Sequence, residues 1–76
     1  MSRKKSQANR SLGLAIRTTR MQRGWAQEAF ARAANLDRSY YGAIERGEFN
    51  ISVDTLMKLA AALEMTASEL FERAGL

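Results

Sequence analysis

Residues 27–46, Q-E-A-F-A-R-A-A-N-L-D-R-S-Y-Y-G-A-I-E-R, constrain the fold of this chain more than any other stretch. Apolar side chains at Phe30, Ala31, Ala34, Leu36, Tyr41 and Ile44 recur at helical spacing on either side of Asn35. Asparagine is the non-glycine residue that best tolerates the left-handed backbone in which helices end. Two residues later Asp37 suits the N-cap of a following helix, where its carboxylate accepts a backbone N–H. Two short helices joined by a tight turn result. Ala31 faces the second of them, and its methyl group lets the two backbones approach closely.

At 100° per residue, a second helix over 38–46 turns Tyr41 and Ile44 inward. Ser39, Gly42, Ala43 and Arg46 then point outward, with Arg38 in the first turn and Tyr40 on the opposite flank. Glycine inside a helix costs ~1 kcal/mol against alanine. On an outward face, close approach of another surface is one physical reason to tolerate that cost. A smooth centre flanked by two arginines suits the floor of a DNA major groove.

The charge pattern agrees. Residues 1–47 carry ten Lys or Arg against Glu28, Asp37 and Glu45, a balance of +7. Residues 48–76 carry Lys58 and Arg73 against five acids, a balance of −3, which completes the net +4. A basic half joined to an acidic half implies one face offered to a polyanion and another kept from it, with ordinary solvated charge as the alternative. The 76 residues make one domain. A chain of that size buries only roughly 60 % of its unfolded surface, so association should help it.

The absence of cysteine and histidine removes disulfides, thiolate nucleophiles, imidazole acid–base chemistry and the usual zinc ligand sets. No metal, cofactor or small-molecule ligand is expected. The carboxylates are scattered over predicted helix surfaces and no glycine-rich phosphate loop is present, which argues against an enzyme. No apolar run approaches the ~20 residues of a membrane span. The basic N-terminus lacks the apolar segment of a secretory signal. A cytoplasmic, nucleoid-associated protein is expected.

Along the chain, residues 1–10 hold Arg3, Lys4, Lys5 and Arg10, no acids and little to bury, so they are expected to form a flexible arm ahead of a domain over 11–76. Such an arm either follows DNA or is an inert tail. A first helix is expected from Ser11 to Arg23, capped by Ser11 or Asn9 and ended by Gly24. Leu12, Ile16 and Arg20 share its inward stripe, and a buried arginine needs a partner. Glu45, one turn beyond Tyr41, is the candidate; the alternative is two exposed charges worth under ~1 kcal/mol. Trp25 can staple onto Phe30. Ala26 stands where an N-cap belongs and cannot cap. Gly47 suits the end of the helix over 38–46, and Phe49 is expected to fold back on the core. Asn50 either offers its amide to a phosphate or forms the turn. Ser52 caps a fourth helix that buries Leu56, Leu59, Ala60 and Leu63. Thr66 and Glu69 form a capping box for a fifth, running to about Arg73. Leu70, Phe71 and Leu76 give that helix more apolar surface than its core contacts need, which marks them as a dimer interface unless they complete the monomer core.

The segment from Gln27 to Arg46, with the following E-R-G-E-F-N-I-S-V-D-T-L, resembles the lambda-repressor-like (Cro and XRE) helix-turn-helix family over residues 12–72. L-D-R-S-Y-Y-G-A-I-E-R-G-E is similar to the short controller proteins of restriction-modification systems. The resemblance implies an all-α fold of five helices and a homodimeric transcription regulator on a palindrome-like site in double-stranded DNA. It implies base contacts from Arg38, Ser39 and Ala43, phosphate contacts from Gln27 and Arg46, and an Arg20–Glu45 pair across helices 1 and 3. Tyr40 would touch a phosphate or a thymine methyl, or pack on its own protein. Ala26 departs from the family's hydroxyl or amide cap, and Ile51 stands where proline is common. The antitoxin of a toxin–antitoxin pair, which shares the fold, is the competing function.

Overall fold

The computed structural model describes residues 6–76, which form helices α1 (Gln7–Gln22), α2 (Gln27–Ala33), α3 (Arg38–Glu45), α4 (Val53–Ala62) and α5 (Ala67–Arg73) and, among the described residues, no strand. Four of the five begin at a side-chain cap. Ser6, Asp37, Ser52 and Thr66 each accept a backbone N–H, and Thr66 and Glu69 complete the reciprocal capping box. Ala26 caps nothing with its side chain.

All five helices end alike. In each, the second residue past the helix has a positive φ: Gly24, Asn35 (59°), Gly47, Glu64 (59°) and Gly75. The same two backbone bonds close each end, as in α2, where Asn35 N–H donates to Arg32 C=O and Leu36 N–H to Ala31 C=O. This is the Schellman stop.

Helix α1 begins four residues earlier than the expected Ser11, at Gln7 under a Ser6 cap. The reason is tertiary and polar: Asn9 Nδ2 donates to Asn50 Oδ1 at 2.8 Å, tying the extra turn to the loop after α3. Residues 7–10 of the expected arm are therefore helix and Ser6 is its cap; residues 1–5 lie outside the described residues.

The core is one cluster. Leu12 and Ile16 of α1, Phe30 and Ala31 of α2, Tyr41 and Ile44 of α3, and Leu56, Leu59, Leu63 and Leu70 from the C-terminal helices meet there. Trp25 stands edge-on to Phe30 at 5.7 Å, and Phe30 meets Tyr41 at 5.3 Å. The stripe pattern placed these correctly, with one exception. Leu70 is fully buried, which removes it from the expected dimer surface. Phe71 (38 % exposed) and Leu76 (58 %) remain outside.

Helix α1 crosses α3 at Gly13. A Cβ there would stand 2.4 Å from the Ile44 carbonyl oxygen and 2.7 Å from that of Glu45. At Gly47 a Cβ would come within 2.8 Å of Arg10 Cα. The first half of α1 thus lies directly on the end of α3 and fixes its tilt.

Candidate nucleic-acid interface

Helices α2 and α3 meet across a turn set by left-handed Asn35, and Asp37 then starts α3 by accepting from Ser39 N–H (3.0 Å) and Tyr40 N–H (3.2 Å). Beneath them sits a polar knot centred on Glu45. Its carboxylate accepts from Arg20 Nε at 2.7 Å and Nη2 at 3.3 Å, from Gln27 Nε2 at 3.1 Å, and from the Tyr41 hydroxyl. Arg20 Nη1 donates to the Trp25 carbonyl at 2.8 Å. Both ion-pair side chains are nearly covered, at 10 % and 3 % exposure. Every buried side-chain N or O among the described residues has a partner. One carboxylate therefore joins α1, α2 and α3, which is how a buried charge becomes tolerable.

The knot shifts the titration of Arg20 and Tyr41. The hydrogen bond that Arg20 donates to Glu45, against the opposing effect of burial, raises the Arg20 guanidinium further above its already high range. Burial, then the hydrogen bond to Glu45, pushes the Tyr41 phenol well above its ordinary value. A phenol held neutral in the folded state stabilises the fold below about pH 10, and that contribution is lost as pH rises past it, because the unfolded chain ionises first. Wild-type protein should therefore lose stability above about pH 10, and Tyr41→Phe should flatten that loss while costing about 1 kcal/mol at neutral pH. Denaturant melts at several alkaline pH values check both signs.

On the outer side, Arg38 and Ser39 are exposed at the start of α3. Tyr40 is half-buried, tilted against Phe49 with ring centroids 5.8 Å apart, so its ring braces the loop after α3. Arg46 is exposed at the far end and pairs with Glu48. Asn50 is exposed, its side-chain oxygen taken by Asn9.

Two expectations need correction. Ala43 retains only 5 % exposure, so its methyl does not form an outer contact; the chain folds back on it, with Glu48 N–H donating to its carbonyl. Gly42 is not on an open face either. It lies buried where the Arg46 and Gln27 side chains converge, 3.3 Å and 3.8 Å from where a Cβ would stand. Gln27 donates one carboxamide N–H to Glu45, and its backbone N–H stands at the first position of α2. Sequence reasoning missed Glu48, and it offered Asn9 only as a cap of the first helix, not as the partner of Asn50. For Glu48 a signal existed, since it follows Arg46 by two residues where an apolar side chain usually closes the stop.

The helix-turn-helix family model matches residues 16–70, most of the chain and the whole of this arrangement. Control protein C.SmaI of Serratia marcescens is 38 % identical over 61 residues, which cover 80 % of this chain and 73 % of that protein. Control protein C.MunI of a Mycoplasma species is 50 % identical over 46 residues, covering 60 % and 62 %. A hypothetical transcription factor of Neisseria meningitidis is 44 % identical over 55 residues, so the matched stretch spans 72 % of this chain but only 52 % of that protein. Among solved structures, the restriction-modification controller protein C.AhdI from Aeromonas hydrophila superposes with a TM-score of 0.79 at 40 % identity, over 82 % of this chain and 94 % of that one. These relatives carry the names of regulators, not of enzymes. With its turn at Asn35, its capped α3 and these matches, the chain belongs to the Cro/XRE-type helix-turn-helix family of lambda-repressor-like fold.

Proposed function

We propose that the protein is a sequence-specific regulator of transcription that binds duplex DNA as a homodimer, with α3 in the major groove. The observation that carries this is the contrast between the two sides of α3. Its inner side is locked by the Glu45 knot, while Arg38 and Ser39 are exposed in its first turn. A rigidly held helix with an open basic tip suits the reading of base edges, and the basic half of the chain supplies phosphate attraction. Arg38 reads a guanine through O6 and N7; Ser39 contacts the neighbouring base edge. The backbone N–H of Gln27 meets a phosphate, and Asn50 and the Tyr40 hydroxyl flank the same groove. Two copies joined through Phe71, Leu76 and the exposed Val53 and Met57 of α4 would set their α3 helices roughly 34 Å apart on a palindrome-like site. The relatives named as control proteins support a role of that kind, exercised at the nucleoid in the cytoplasm.

Selection of bound sites from randomised duplexes tests the reading directly. Arg38→Ala should lose about 1–3 kcal/mol on the selected site and little on random DNA. Equal losses on both would make Arg38 a backbone contact, and no enriched site for wild type would sink the proposal.

A further inference from the structure

A carboxylate closes α3 at the place where the other four helices put an apolar side chain. Those four stops end on Trp25, Leu36, Met65 and Leu76, whereas the stop after α3 ends on Glu48. An apolar contact usually accompanies this motif, so an acid there needs another reason. Glu48 keeps only 13 % of its side-chain exposure, while Arg46 beside it keeps 59 %. The carboxylate accepts from Arg46 Nε at 2.9 Å and from Nη2 at 3.5 Å. Arg46 Nη1 reaches one turn back along α3, to 3.3 Å from where a Gly42 Cβ would stand. Of the five guanidinium N–H groups, Glu48 engages one on Nε and one on Nη2. The two on Nη1 and the second on Nη2 remain, and together they form the end-on fork.

We propose that Arg46 is a second base-reading residue, and that Glu48 is its positioning residue, holding the guanidinium side-on so that the end-on fork meets a guanine in the major groove. The inference rests on the DNA-binding reading above and reassigns Arg46 from phosphate to base. A phosphate contact needs a cation near the backbone and little orientation. A fixed carboxylate beside that contact would only repel the phosphates. Bidentate recognition of guanine O6 and N7 does need a fixed plane, and a clamped Nε edge provides it. The missing side chain at Gly42 keeps the path of the fork clear.

The test selects sites from randomised duplexes with wild type, Glu48→Gln, Arg46→Lys and Arg46→Ala, after thermal melts establish that each variant folds. Wild type should enrich a G·C pair in each half-site that all three variants prefer about tenfold less. On an unselected duplex pool, Glu48→Gln and Arg46→Lys should lose less than they do on the selected site, because non-specific binding needs charge but little orientation. The inference is overturned if Glu48→Gln enriches the wild-type site undiminished. It is equally overturned if Arg46→Lys binds the selected site as wild type does, or if Arg46→Ala loses equally on both pools with the salt slope lowered by about one. A wild-type protein that enriches nothing fails at the earlier step, and takes both readings with it.

Discussion

Glu45→Gln is expected to unfold at markedly lower denaturant than wild type, at a cost of about 3–5 kcal/mol. Glu45 accepts from Arg20, Gln27 and Tyr41 at once, with both oxygens in use. A carboxamide of the same shape replaces one acceptor oxygen by an NH2 group, so donors face donors, and the Arg20 charge is left buried without its counter-charge. Removing one member of a buried pair costs more than the pair contributes, because the remaining charge keeps its desolvation penalty. Small domains have only about 5–15 kcal/mol in total. The loss would take a large share of that. Arg20→Met combined with Glu45→Met should recover part of the stability, since no orphan charge remains, and the shortfall from additivity measures the coupling. A Glu45→Gln midpoint within about 1 kcal/mol of wild type would mean that the knot contributes no more than a surface pair.

Gly13→Ala should be the second severe change. Its new methyl would stand 2.4 Å and 2.7 Å from two backbone carbonyl oxygens of α3. Neither is the end of a flexible side chain, so α1 must back away from α3. Overpacking costs typically about 1–3 kcal/mol, and contact with backbone on both sides puts this case at the upper end. Alanine returns ~1 kcal/mol of helix propensity, which leaves a net loss of about 2 kcal/mol. Gly42→Ala is the control within the same fold, because there the new methyl meets the end of a side chain, Arg46 Nη1 at 3.3 Å, and no backbone of a neighbouring helix. It should be neutral or stabilising by up to ~1 kcal/mol. Denaturant midpoints of the two variants moving in opposite directions would support this packing; a Gly13→Ala protein as stable as wild type would refute the close crossing of α1 and α3.

What the sequence disclosed and what it hid divide along physical lines. Helix type, the turn at Asn35, the Asp37, Ser52 and Thr66 caps and the apolar stripes are local signals, and they located four of the helices closely. The first turn of α1 was invisible because it is held by Asn9 and Asn50, forty-one positions apart in the chain, rather than by a buried apolar face. Ala43 and Gly42 were placed outward by the helical wheel. A wheel knows the axis but not the loop after Gly47 that covers one side of it, nor the long side chains of Gln27 and Arg46 that cover the other. Leu70 was ambiguous for a related reason: a stripe of three apolar residues on a short helix does not say which of them the core takes. Arg20 and Glu45 were legible because an arginine in the middle of an apolar stripe demands an acid within reach, whereas Gln27, the knot's further donor, carries no charge to betray it.

The repeated helix stop has a consequence for how such a protein can change. Its reversals are written in backbone geometry and in a few seats at Gly24, Asn35, Gly47, Glu64 and Gly75, so the angle at which α3 is displayed owes nothing to Arg38 or Ser39. Those two positions can be rewritten without renegotiating the scaffold. A lineage built on this frame is free to drift from one target sequence to another by surface exchange alone, keeping its melting behaviour while its vocabulary turns over.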